Sequence, residues 1–201
     1  MYILLATNNK HKKQELQQIL SRIRLKTPDE IGIDFDCDET GTTFQENSLL
    51  KAETLYKLAG TPVIADDSGL CVDALGGAPG IFSARYGSPQ SGPDLESSER
   101  NSFLLSNLKN FSGPEARKAV FVCCMTVIID DYRIYSVQET MNGFITDEPC
   151  GKGGFGYDPV FYLPGKEMTV AELSDTEKNK ISHRGRAAVR LGMLLEGAFN
   201  E

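Results

Sequence analysis

The chain has no tryptophan, only two histidines, and five cysteines in 201 residues, none of them in a C-x-x-C pair. That scarcity leaves little for a soft-ligand metal centre, so any metal is expected to be hard and oxygen-bound, Mg²⁺ first. The odd count and wide spacing of Cys37, Cys71, Cys123, Cys124 and Cys150 argue against a disulfide framework, and all five are expected to be reduced. Cys123 and Cys124 fall in a strand-like run and should face opposite sides of it. Long apolar runs are missing too. The stretch Met1–Thr7 is too short for a signal peptide or a membrane span, which predicts a cytoplasmic protein with no membrane partner. Positive charge is short as well. A net charge of −7 disfavours a broad nucleic-acid groove but leaves small anionic ligands open.

What is present describes an ordinary globular protein, with 40% hydrophobic and 24% charged residues. The length suits one good core, with two lobes but not two independent domains, so residues 1–201 are read as a single domain. Strands are expected at 2–7, 63–65, 119–129 and 133–140, the last two as a hairpin about Asp130-Asp131. Helices are expected from Lys12 to Ser21, after the capping box Thr43-Phe44-Gln45-Glu46 to about Ala59, from Glu96 to Lys109, and from His183 to about Phe199 behind Ser182. The apolar face of that last helix is read as Ala187, Leu191, Leu194, Leu195 and Ala198. Early alternation of strands with helices, then a hairpin, predicts an α/β fold with a mixed sheet.

Five stretches carry candidate chemistry. Thr7-Asn8-Asn9-Lys10-His11-Lys12 lies between a strand and a helix, where free N–H groups and positive charge suit a phosphate. Asp36, Asp38 and Glu39 precede a helix that carries Asn47 and Lys51 four apart on one face; Glu39 is the better metal candidate, since nothing local satisfies it. Glu46 has a sufficient explanation as the capping-box acid. The run Ala65-Asp66-Asp67-Ser68-Gly69-Leu70 sets two carboxylates at the end of a buried strand before a Ser-Gly turn. On a continuous strand they point to opposite faces, so one enters a site and the other is structural. Gly151-Lys152-Gly153-Gly154-Phe155-Gly156 matches G-x-G-x-x-G, but the extended Tyr157-Asp158-Pro159 follows where a dinucleotide site needs a helix. Phe155 beside Tyr157 and Asp158 could instead stack on a planar base. Lys178, His183 and Arg184 gather donors near the start of the last helix.

Together these blocks resemble the inosine triphosphate pyrophosphatase family, the XTP/dITP diphosphatases. The motifs that carry the resemblance are Thr7-x-Asn9-x-x-Lys12, Phe44-x-Glu46-Asn47-Ser48 with Lys51-Ala52, and Ala65–Leu70. To these add Leu75–Gly80 with Ser83–Tyr86, Gly154–Pro159, and Lys178 with Ser182-His183-Arg184-Gly185. Ser48 departs from the alanine of many relatives. The resemblance implies an elongated two-lobed fold with the active site in a cleft, a homodimer, a Mg²⁺ cofactor, and hydrolysis of ITP, dITP and XTP to the monophosphate and pyrophosphate. It implies that Thr7, Asn8, Asn9, Lys10, His11 and Lys12 hold the triphosphate. Asp67 would be the catalytic residue and a metal ligand with Glu39. Lys51, Ser68, Phe155, Gly156, Tyr157, Asp158, Lys178, His183 and Arg184 would contact substrate. Two alternatives stand beside it: a nucleotide-binding regulator without catalysis, and a Maf-like pyrophosphatase for pyrimidine or modified nucleotides.

Overall fold

The computed structural model describes residues 2–199. Its strands are β1 (Ile3–Leu5), β2 (Leu25–Lys26), β3 (Val63–Val72), β4 (Lys118–Asp130), β5 (Arg133–Ile145), β6 (Phe161–Leu163) and β7 (Met168–Thr169). Its α-helices are α1 (Lys10–Ile19), α2 (Phe44–Ala59), α3 (Ser97–Asn107), α4 (Asp175–Ile181) and α5 (His183–Phe199). The strands form one seven-stranded sheet in the order β2-β1-β3-β4-β5-β6-β7. β1 runs parallel to β2 and β3, and β6 runs antiparallel to β5 and β7, so the sheet is mixed and the fold α/β. β4 and β5 meet at a tight turn in which Asp130 Oδ1 accepts the N–H of Tyr132 at 3.0 Å and of Arg133 at 2.9 Å.

The chain divides into two compact units, the first built from residues 2–68, 123–139 and 182–199, the second from 69–122 and 140–181. In the first unit the strand period of two sorts side chains between two helix layers. Ile3, Leu5 and Ile64 pack with Leu16 of α1, with Leu20 that caps it, and with Ala187, Leu191 and Leu195 of α5. Leu4, Ala6, Val63 and Ala65 pack with Ala52 and Leu55 of α2. The same alternation sends Asp66 toward the α1–α5 side and Asp67 toward the α2 side. The second unit has its own core, in which Leu70 and Val72 join Leu104, Leu108, Phe121, Val160 and Phe161.

Several expectations need correction. β3 does not end at Ala65 with a Ser-Gly turn; it runs unbroken for ten residues to Val72. The turn-forming residues are overridden because the carboxylates meet the cations Lys12, Arg184 and Lys51 and because Leu70 and Val72 are wholly buried. α1 starts at Lys10, since Asn9 supplies the cap. Glu46 reaches the N–H of Thr42, one residue before the capping Thr43. Leu194 is 40% exposed and leaves the apolar face of α5. α4 was not anticipated; its seven residues are too few to show helical periodicity.

Ser48 is wholly buried, and its hydroxyl lies 2.7 Å from Thr126 Oγ1, which lies 2.9 Å from Ser136 Oγ. Thr126 keeps Ser136 if Ser48 is lost, so Ser48→Ala should cost about 1 kcal/mol in chemical denaturation, the worth of one hydrogen bond. A loss of about 3 kcal/mol or more would mean that the three hydroxyls act as one cooperative unit.

Candidate active site

The candidate residues of the first unit assemble around the adjacent carboxylates of β3. Asp66 is 1% exposed and faces two cations: Lys12 Nζ at 3.0 Å, and Arg184, whose Nε and Nη2 both lie 3.4 Å away. Ser68 Oγ also donates to it at 3.3 Å. Burial alone would raise the Asp66 carboxyl, but Lys12, Arg184 and Lys51 outweigh it and hold the group well below the usual carboxylate range. Arg184 is 4% exposed; its Nη1 donates to Glu15 Oε2 at 2.8 Å and its Nη2 to Ser68 Oγ at 2.7 Å. Burial disfavours that guanidinium charge, but Asp66 and Glu15 outweigh the penalty and raise its pKa.

Asp67, on the opposite face of β3, meets α2. Lys51 Nζ lies 2.8 Å from Asp67 Oδ1 and 2.8 Å from Glu39 Oε1, so one ammonium is shared by two carboxylates from different segments. The other Asp67 oxygen, Oδ2, is buried with no hydrogen-bond partner among the described residues. Burial pushes the Asp67 carboxyl up; Lys51 opposes this, and the negative Glu39 reinforces it. Lys51 is disfavoured by burial but held charged by Asp67, Asp66 and Glu39. The neighbours therefore shift in opposite directions, Asp66 held low by its cations and Asp67 pushed up by burial, although each keeps one buried oxygen, Asp66 Oδ1 and Asp67 Oδ2, without a hydrogen-bond partner among the described residues.

The loop before α1 is arranged for an anion, but fewer of its groups converge than the sequence suggests. Asn9 Oδ1 accepts the N–H of His11 at 2.9 Å and of Lys12 at 3.2 Å, and Thr7 Oγ1 accepts that of Asn9 at 3.2 Å. Asn8 Nδ2 donates to the carbonyl of Phe35 at 3.2 Å. Of the basic run, Lys12 turns to Asp66 and Lys13 to Glu30 at 2.6 Å, while Lys10 and His11 are exposed. No acidic residue sits in the first turn of α1. His183 opens α5, is 5% exposed, and follows Ser182, whose Oγ accepts the N–H of Gly185 at 3.0 Å.

The second unit holds the other constellation. Asp158 Oδ2 accepts from Phe155 N at 2.8 Å and from Lys178 Nζ at 2.7 Å, and that ammonium sits 4.6 Å over the Phe155 ring centroid. Such a cation–π contact with a desolvated ammonium is worth roughly 2 kcal/mol. Gly154 has φ +68°, and a Cβ there would run into the Asp158 carboxylate, so glycine is required. Asn101 Nδ2 holds the carbonyl of Gly156 at 3.1 Å. Tyr157 is 4% exposed and its hydroxyl donates to the carbonyl of Ser83 at 2.9 Å, which anchors the loop in the core. A 3₁₀ turn at Asp158–Val160 and then β6 follow the glycines, so the segment lacks the helix a dinucleotide fingerprint needs.

Sequence reasoning did not single out Glu15 or Asn101. Glu15 lies three residues beyond Lys12 on α1, a spacing that puts both on one face and was there to be read. Asn101 left no such signal, because its partner is a backbone carbonyl 55 residues away. An apolar groove between the end of α1 and α5, lined by Ile19, Ile23, Val189 and Met193, contains none of the candidate residues.

Residues 3–193 match the model of the Ham1 family. A protein of Treponema denticola named dITP/XTP pyrophosphatase is 48% identical over 198 residues, covering 98% of this chain and 100% of its own length. One of the same name from Bacillus subtilis is 44% identical over 195 residues, covering 96% of each. Among solved structures, the Ham1 protein of Staphylococcus aureus superposes with a TM-score of 0.85 at 39% identity, over 98% of this chain and 100% of the other. The Ham1 protein of Coxiella burnetii gives 0.84 at 38% identity, with the same coverage. On a family match spanning nearly the whole sequence and relatives this similar over their full length, the chain belongs to the Ham1 family.

Proposed function

We propose that this protein hydrolyses non-standard purine nucleoside triphosphates, dITP, ITP and XTP, to the monophosphate and pyrophosphate, and so clears them from the nucleotide pool. The relatives' name supports the substrate class. The observation that carries the chemistry is Asp67, a buried carboxylate with one oxygen on Lys51 and the other without a partner among the described residues. The two compact units are read together as a single catalytic domain, since β3, β4 and β5 each change unit part-way along.

The donor set fits a divalent metal. Glu39 and Asp67 already gather about one positive charge, that of Lys51. No group of three or more His, Cys, Asp or Glu suited to a metal is present among the described residues. Two carboxylates, with water and phosphate completing the shell, are what Mg²⁺ accepts. The first unit's cluster has three cations (Lys12, Lys51, Arg184) against four carboxylates (Glu15, Glu39, Asp66, Asp67), a balance that a triphosphate meets poorly without a further cation. Bound Mg²⁺ would neutralise phosphate oxygens and polarise the α-phosphorus, held by Asp67 and Glu39.

The chain's own residues do the rest. The loop Thr7, Asn8, Asn9, Lys10, His11 and Lys12 forms the triphosphate cradle through its backbone N–H groups and Lys12, which exchanges Asp66 for phosphate, while Lys10 and His11 would have to turn inward to join it. Asp67 orients water in line with the bond from the α-phosphorus to its bridging oxygen and takes up the proton released. That bond breaks, and pyrophosphate leaves with its charge held partly by Lys12 and Lys51. Phe155 offers a ring face for the base, braced from behind by Lys178 and Asp158 through the turn at Gly156 and Tyr157. His183 and Arg184 supply donors for a 6-oxo group, Arg184 by giving up its bond to Ser68. Adenine presents an amino donor at that position and would leave buried donors unpaired, which can discriminate by as much as roughly 10⁴–10⁵. The resemblance further implies a homodimer in a reducing cytoplasm. All five cysteines are free thiols, and no helix among the described residues is long and apolar enough to cross a membrane.

The test is to incubate the protein with ITP, dITP, XTP, GTP, ATP and dUTP plus Mg²⁺ and to measure pyrophosphate against orthophosphate. Pyrophosphate from the first three is expected. Orthophosphate as the primary product would exclude attack at the α-phosphorus. GTP cleaved as fast as ITP would end the pool-cleansing role and leave the pyrophosphatase chemistry standing. Preference for dUTP would favour the Maf-like alternative, and binding without cleavage the regulatory one.

A further inference from the structure

Asn47 is a polar side chain with 0% exposure, one helical turn before Lys51 on α2. Helix capping does not explain it, because Thr43 Oγ1 already accepts the N–H of Glu46 at 3.1 Å. Its Oδ1 instead accepts the N–H of Gly41 at 2.8 Å. The approach is tight: a Cβ on Gly41 would come within 2.6 Å of that oxygen and 2.7 Å of Glu46 Cβ. Only glycine permits this contact without a shift of backbone. The segment so held is the one that carries Glu39. Glu46 Oε2 steadies its next residue, accepting the Thr42 N–H at 2.6 Å and hydroxyl at 2.8 Å. Lys51 then grips the Glu39 carboxylate itself. An apolar side chain at this position would leave the Gly41 N–H without the acceptor that Asn47 Oδ1 provides.

We propose that Asn47 is a positioning residue for Glu39. By fixing the backbone at Gly41 it keeps the Glu39 carboxylate beside Asp67 whether or not Lys51 remains its partner. The inference rests on the proposed function, which makes Glu39 a metal ligand, and adds the residue that holds that ligand in place. Outer groups that orient metal ligands are commonly worth about 10- to 100-fold in metal affinity or activity.

The experiment titrates Mn²⁺ by electron paramagnetic resonance into protein held with α,β-imido-dITP, so that no turnover occurs, alongside nucleotide KM at saturating Mg²⁺ and thermal melting. Asn47→Ala and Gly41→Ala should each weaken Mn²⁺ binding about tenfold or more. The double variant should be little worse than either, because both break the same contact. Asn47→Asp keeps an acceptor for the Gly41 N–H and should bind Mn²⁺ more tightly than Asn47→Ala, with its melting lowered by the buried charge. Nucleotide KM should hold, since no phosphate or base contact is removed. Parental Mn²⁺ affinity in Asn47→Ala, or an Asn47→Asp variant as weak as Asn47→Ala, would overturn the proposal. If Asn47→Ala fails to fold, Gly41→Ala against Asn47→Asp still decides it. A parent protein that releases no pyrophosphate defeats the proposed function itself, whereas an active parent with unaltered variants defeats only this inference.

Discussion

Replacing Asp67 by asparagine should lower the rate of pyrophosphate release by roughly 10²-fold or more, the scale of a lost acid–base group, while nucleotide still binds. Asparagine keeps the shape and an oxygen for Lys51, which also retains Glu39 at 2.8 Å. What is lost is the buried carboxylate oxygen that has no partner among the described residues, and its charge. Burial pushes the Asp67 carboxyl above its ordinary 3.8, so the fold stabilises its charge less well than water does. Neutralising the group removes the cost of burying its charge, and Lys51 keeps Glu39 as a counter-ion, so the loss of stability should be smaller than for Asp66→Asn. Single-turnover kinetics at saturating Mg²⁺, with a nucleotide-binding titration beside them, check the prediction. Near-parental turnover would take Asp67 out of the chemistry.

The strand that carries the two carboxylates was legible in the sequence because period-two patterning is a strong signal. Pro62-Val63-Ile64-Ala65 marks a buried strand, and the two carboxylates after it have to part company. The sequence could not tell where that strand ends. Asp-Asp-Ser-Gly has every local mark of a turn, and it stays extended only because Lys12 and Lys51, distant in sequence, meet the charges. The same holds for the basic run after Thr7. Composition counts four cationic groups there, but which of them turn inward depends on Asp66 and Glu30, whose positions are set by tertiary packing. Arg184 is the plainest case. As a basic residue at a helix start it offered donors to a ligand, whereas in the fold those donors run to Glu15, Ser68 and Asp66. Partners more than a hundred residues apart leave no trace in local spacing.

Asp66→Asn should have the opposite profile, a large loss of stability with a smaller loss of rate. The carboxylate is wholly enclosed and compensates two cations, Lys12 and Arg184, of which Arg184 is itself buried. Removing one partner of a buried ion pair leaves the other charge uncompensated, which costs roughly 3–5 kcal/mol. Arg184 keeps Glu15, and asparagine keeps a dipole, so the lower end applies: about 3 kcal/mol, or a fall in melting temperature of roughly 6–12 °C for a chain of this size. The loss should depend on pH with a definite sign. The Asp66 carboxyl is held below its ordinary 3.8, so it adds stability above that value and surrenders it as pH falls toward the depressed folded value. The gap between parent and variant should therefore be full at neutral pH and narrow on acidification below about pH 4. A gap unchanged by pH would mean that Asp66 acts through packing alone. A deep fall in melting for Asp67→Asn with none for Asp66→Asn would exchange the roles assigned to the two neighbours.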